Sequence, residues 1–126
     1  MSIYTHVAIG TNNIEQSRRF YDAVLGALGL KRLGDMPSSS FYGAEVPELM
    51  ITAPIDGKPA SAGNGITISF ASASRAAVDA FHAAALSNGG SCAGKPGPRP
   101  VAPTAYGAYV RDPDGNKLAT YCYAAQ

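Results

Sequence analysis

The chain has 126 residues, ten basic against nine acidic, for a formal charge of +1. That length fits one domain burying roughly two-thirds of the surface its unfolded chain exposes. The absence of any lysine-arginine run or basic stripe argues against a nucleic-acid partner, and the absence of a stretch of about 18 apolar residues argues against a membrane span.

The start, Met1-Ser2-Ile3-Tyr4, enters an alternating segment without the charged and apolar regions of a signal peptide, so the expected compartment is the cytoplasm. A strand is predicted over 3–10 and a helix over 14–28, with Asn13 and Gln16 placed to cap its start and Gly29 to end it. Three short strands follow near 31–35, 40–45 and 48–53. Residues 55–64 lie in a Gly/Pro-rich stretch with the composition of a linker, dividing the chain into a first module (1–54) and a second (65–126).

The second module repeats the first at an offset of 61 residues (67 − 6). His6-Val7-Ala8-Ile9 lies opposite Thr67-Ile68-Ser69-Phe70, Asn13 opposite Ser74, Phe20 opposite Phe81 and Gly29 opposite Gly90. Its strand, 65–71, alternates cleanly, with Ile66, Ile68 and Phe70 on one side and Thr67, Ser69 and Ala71 on the other. Its helix, 75–88, is capped by Ser74 and ends at Gly89-Gly90. Residues 93–104 hold four prolines, which remove ladder donors, so this stretch is an edge or a flap and not a central strand. Strands at 105–111 and 116–123 flank Asp112-Pro113-Asp114-Gly115-Asn116, a tight corner in which Asp112 accepts downstream N–H groups and Gly115 takes the reversed backbone angle. Cys92 and Cys122 lack the spacing of a zinc knuckle or a redox dithiol and read as reduced packing residues; His82 reads as a packing or surface residue on the helix side of the sheet.

The opening His6-Val7-Ala8-Ile9, the helix segment Ser17-Arg18-Arg19-Phe20-Tyr21-Asp22 with Leu28-Gly29-Leu30, and the late Tyr106-Gly107-Ala108-Tyr109-Val110-Arg111-Asp112-Pro113-Asp114-Gly115-Asn116 resemble the vicinal oxygen chelate superfamily. That group includes glyoxalase I, bleomycin-resistance proteins and extradiol dioxygenases. The resemblance spans nearly the whole chain and implies an α+β fold of two βαβββ modules whose strands form a cup-shaped mixed sheet. Helices would lie outside and a ligand inside, with two chains associating as a homodimer.

In metal-dependent relatives, the resemblance implies four cup-facing ligands on the first, fourth, fifth and eighth strands. Here His6 matches the first, Ile51 the fourth, Thr67 the fifth and Ala119 the eighth. A divalent ion needs several imidazole or carboxylate donors to replace its water shell, and isoleucine and alanine supply none. Shifting the fourth-strand register by one brings in Met50 or Thr52, which do not repair the loss. No family-type metal and no other cofactor is therefore expected.

Two readings of His6 stand: a residual histidine satisfied by a neighbouring hydroxyl or water, and a catalytic general base or orienting donor. The expected ligand pocket comprises His6, Ile51, Thr67, Ser69, Ala119 and Tyr121. The expected function is glyoxalase-like binding of a small organic molecule, with an enzymatic step left open. The alternatives are a metal-dependent lyase or dioxygenase with displaced ligands, a bleomycin-resistance-type drug binder, and an assembly module.

Overall fold

The computed structural model describes residues 3–125. Its elements are β1 (Val7–Gly10), α1 (Ile14–Gly26), β2 (Lys31–Met36), β3 (Ser39–Gly43) and β4 (Leu49–Thr52), then β5 (Ile68–Ala71), α2 (Arg75–Ser87), β6 (Ser91–Pro98), β7 (Tyr106–Arg111) and β8 (Lys117–Cys122). They form two four-stranded mixed sheets ordered β1-β4-β3-β2 and β5-β8-β7-β6, in which β1 runs parallel to β4 and β5 parallel to β8. This is the α+β architecture of two βαβββ modules.

Both helices begin as their sequences require. Asn13 Oδ1 accepts from Gln16 N–H at 3.0 Å and Ser74 Oγ from Ala77 N–H at 3.1 Å. Gly29 and Gly89 supply the left-handed angles after the helix ends, at φ 80° and 93°. The two modules share one core, in which Phe20, Tyr21, Val24 and Leu25 of α1 pack with Phe81 and Ala85 of α2 and with Ile9, Ile51, Val110 and Leu118 from the sheets. Removing these apolar side chains from water is the main force holding the halves together.

Two strands are shorter at their starts than the alternation predicts. β1 begins at Val7, not residue 3, opposite Leu49, where its parallel partner β4 begins, and its Val7 N–H donates to the Glu48 carbonyl at 3.0 Å. β5 begins at Ile68 opposite Leu118, so Thr67 precedes the strand. The proline-rich stretch divides: β6 takes residues through Pro98 as an edge strand with two register irregularities, and residues 99–105 form a loop. The linker is pinned to the start of α1, where Asn12 exchanges two hydrogen bonds with the Ala60 backbone.

Candidate functional site

Strand alternation and register divide each sheet into a helix-packed face and an open face. In the first sheet Val7, Ile9, Tyr42, Leu49 and Ile51 belong to the core, while Ala8, Phe41, Met50 and Thr52 are paired in register on the opposite side. In the second, Ile68, Phe70, Val110 and Leu118 pack inward, and Ser69, Ala71, Tyr109, Ala119 and Tyr121 share the open face.

The sequence-predicted pocket residues separate on this geometry. Ile51 is a correction: at 1% exposure it lies in the helix-side core, and Met50 holds the open-face place beside Ala8. The slip is one residue, and one residue turns a strand side chain to the other face. Ala119 sits on the open face opposite Tyr109 and Ser69 but is 0% exposed, so it opens no space. His6 is exposed just ahead of β1, with Nδ1 3.1 Å from Thr5 Oγ1. Thr67 and Ser69 line a groove of about 800 Å³ with Val7, Leu25, Tyr42, Glu48 and Phe70; His6, Ile51, Ala119 and Tyr121 are not among its walls.

Tyr121 belongs instead to an aromatic cluster on the second sheet. Its ring meets Tyr109 edge-on at 5.8 Å and stacks on Tyr123 at 5.8 Å with the planes 19° apart. Glycine makes the arrangement possible, since a Cβ at Gly107 would lie 3.0 Å from the Tyr121 ring and one at Gly94 would lie 3.2 Å from Tyr109. The Tyr109 and Tyr121 hydroxyls are 2.5 Å apart. That hydrogen bond, with burial added, pushes the Tyr121 phenol up to about 12, so it stays a neutral donor near pH 7. Lys117 Nζ and the Arg99 guanidinium each lie over the Tyr109 ring, 5.1 and 5.6 Å from its centre. Arg99 is held there by the carbonyls of Lys95, Gly97 and Pro98. Of this cluster the sequence singles out Tyr121 as a pocket residue; the flanking cations and the glycine floor have no sequence signal of their own.

The donor set does not fit the divalent metal of the metal-dependent relatives. At the four places that the resemblance marks, the chain has His6 and Thr67, which precede their strands, and Met50 and Ala119 on the open faces, and of these only His6 is an imidazole or carboxylate. Among the described residues no group of three or more His, Cys, Asp or Glu side chains is gathered for an ion. No described helix is long and apolar enough to cross a membrane.

Two further constellations escaped the sequence reading. Asp112, 4% exposed, accepts at Oδ1 from the backbone N–H groups of Asp114 and Asn116, as its turn requires, and at Oδ2 from Tyr21 Oη at 2.5 Å and Asn116 Nδ2 at 2.9 Å. Burial and the adjacent Asp112 carboxylate raise the Tyr21 phenol well above its ordinary value. Asp114 accepts from Thr11 Oγ1 at 2.6 Å and Asn12 N–H at 2.8 Å, and Asn116 Nδ2 reaches the Gly10 carbonyl. This turn thus clasps the second module onto the start of α1. Elsewhere, His82 Nε2 lies 3.2 Å from Cys92 Sγ. Cys122 is buried, as a packing thiol should be, but Cys92 is exposed, which corrects its reading as a packing residue.

The chain matches the family model described as the Glyoxalase/Bleomycin resistance protein/Dioxygenase superfamily over residues 3–120. Among solved structures it is 45% identical to a glyoxalase/bleomycin resistance protein from Albidiferax ferrireducens T118, with a TM-score of 0.90 and coverage of 96% of this chain and 99% of that one. A glyoxalase-related enzyme from Fulvimarina pelagi shares the fold at 19% identity and a TM-score of 0.77, covering 97% of this chain and 88% of its own. The fosfomycin resistance protein FosX from Mesorhizobium loti does so at 15% identity and 0.69, covering 98% and 94%. No curated protein matches the chain. The family match over nearly the full length, with the paired-module fold beneath it, makes this chain a member of the glyoxalase/bleomycin resistance protein/dioxygenase superfamily, the vicinal oxygen chelate group.

Proposed function

We propose that this protein binds a small organic molecule on the tyrosine-lined open face of its second sheet, without a divalent metal ion, and that two copies form the working unit. The observation that carries this reading is the Tyr109–Tyr121–Tyr123 cluster on its glycine floor, with Lys117 and Arg99 at its edge. Aromatic walls with a few convergent polar groups are the composition of small-molecule sites. The hydroxyl pair shares one proton internally and leaves the other to donate outward, so a ligand carbonyl or carboxylate has a partner there. Loss of three of the four metal-ligand types supports the metal-free half of the reading.

The test combines metal analysis of the purified protein with thermal-shift screening of planar aromatic acids and ketones, repeated on Tyr121→Ala. Expected are substoichiometric metal and a stabilisation of about 2.7 kcal/mol for a compound at 100 times its Kd, abolished by the substitution. A stoichiometric, tightly held cation, or a stabilisation that survives Tyr121→Ala, overturns the proposal. Light scattering checks the dimer, which a monomer mass at working concentration refutes.

A further inference from the structure

We propose that Cys92 and His82 form a thiol-exchange site, at which the Cys92 thiol, deprotonated by the His82 imidazole, is joined to small disulfides. The pair is built by tertiary packing. Cys92 lies on β6, the edge strand of the second sheet, at the first of its two register irregularities, and is paired with Val110, so its side chain takes the helix-packed face. His82 comes from the middle of α2 and brings Nε2 to 3.2 Å from Sγ. The thiol is exposed, while the imidazole is partly buried. A nucleophile open to solvent with a base at hydrogen-bond distance is the arrangement that activates a cysteine.

The charged and titratable groups around the pair are Asp79, one turn before His82 on α2, and Lys95, three residues beyond Cys92 on β6. Tyr106 on β7 donates to Asp79 at 2.7 Å, and Arg75 lies over the Tyr106 ring. Burial, with Lys95 in support, lowers His82 below its ordinary value against the opposing Asp79 carboxylate, so the ring is neutral at pH 7 and free to take a proton. The Sγ proton passes to Nε2, the thiolate attacks one sulfur of the disulfide, that S–S bond breaks as the Sγ–S bond forms, and the departing thiolate recovers the proton from the imidazolium. Cys92 sulfur is oxidised and the leaving sulfur reduced, so no further oxidant is needed.

The experiment measures second-order rates of reaction with oxidised glutathione and with an aromatic disulfide from pH 6 to 9.5, with mass spectrometry locating the adduct. The native protein should take up one equivalent on Cys92, while buried Cys122 stays unmodified. His82→Ala and His82→Gln should slow the reaction at least about tenfold at pH 7, as expected for removal of a positioned proton acceptor, with rates converging by pH 9.5, where hydroxide takes the proton instead. Circular dichroism confirms that each variant is folded, and His82→Gln, which retains a hydrogen-bonding side chain, guards against a packing effect. Native and glutamine-variant profiles that superimpose, or first modification at Cys122, overturn the proposal.

Discussion

The starts of the two helices are copies in sequence position but not in what they hold. Thr11, Asn12, Ser17 and Tyr21 of the first module correspond, at the 61-residue offset, to Ser72, Ala73, Val78 and His82 of the second. The local turn survives in both, since Thr11 Oγ1, its proton given to Asp114, accepts from the Asn13 N–H at 3.1 Å and Ser72 Oγ donates to the Ser74 carbonyl at 3.0 Å. Only the first set clasps the other module, by Thr11 and Asn12 to Asp114 and by Tyr21 to Asp112. In the second set Val78 joins an apolar cluster with Ala108 and Cys122, and His82 turns to Cys92. The first module's own β3–β4 turn contributes Ala44 and Glu48 to an open groove beside β5. Duplication preserved what backbone geometry demands, while the polar side chains diverged into a closed contact at one end and open surface at the other.

The largest expected effect comes from cutting the clasp at Asp112. Asp112→Ala orphans the Tyr21 hydroxyl and the turn's N–H groups in a buried place and should cost about 3–5 kcal/mol, read as a fall in the urea midpoint. The position equivalent to Arg18 in the second helix is Asp79, an exposed acceptor for Tyr106. Asp79→Ala should cost under about 1 kcal/mol. Equal losses at the two carboxylates would refute the asymmetry.

A smaller effect isolates Tyr21. Its folded phenol is raised above the unfolded value of about 10, so the stabilisation it carries is complete below that pH and is lost as pH rises through the folded value. Tyr21→Phe should cost about 1.5–3 kcal/mol at pH 7, the range for a hydrogen bond to a charged group, and should flatten the stability decline above pH 10. A native protein whose denaturant midpoint is as flat between pH 9 and 11 as that of the variant would show that Tyr21 is not the alkaline trigger.

Local signals carried most of the fold. The caps at Asn13 and Ser74, the glycine stops, the Asp112 turn and the exclusion of residues 93–104 from a central strand each rest on chemistry within a few residues, so a sequence pattern reveals them. The site was less legible because its geometry is set by pairing. Ile51 and Met50 are both apolar, and only the partner strand decides which faces Ala8. Ala119 is small in sequence yet covered in the fold. Asp114 and Thr11 are 103 residues apart, and His82 and Cys92 meet only because α2 packs on β6.

The smallest expected effect tests what the halves still share. Asn13 and Ser74 each accept one backbone N–H three residues ahead, at 3.0 and 3.1 Å, in the extended conformation of a helix cap. Asn13→Ala and Ser74→Ala should therefore cost the same, about 1 kcal/mol each, and the double variant about the sum, because the caps belong to different helices with no shared partner. Asn13 lies beside the clasp, however, and donates its own N–H to Thr11 Oγ1 at 3.1 Å. The substitution keeps that backbone donor, so Thr11 should stay oriented toward Asp114. An Asn13→Ala loss well beyond that of Ser74→Ala would show that the side chain supports the inter-module contact as well as its own helix, extending the asymmetry down to the caps.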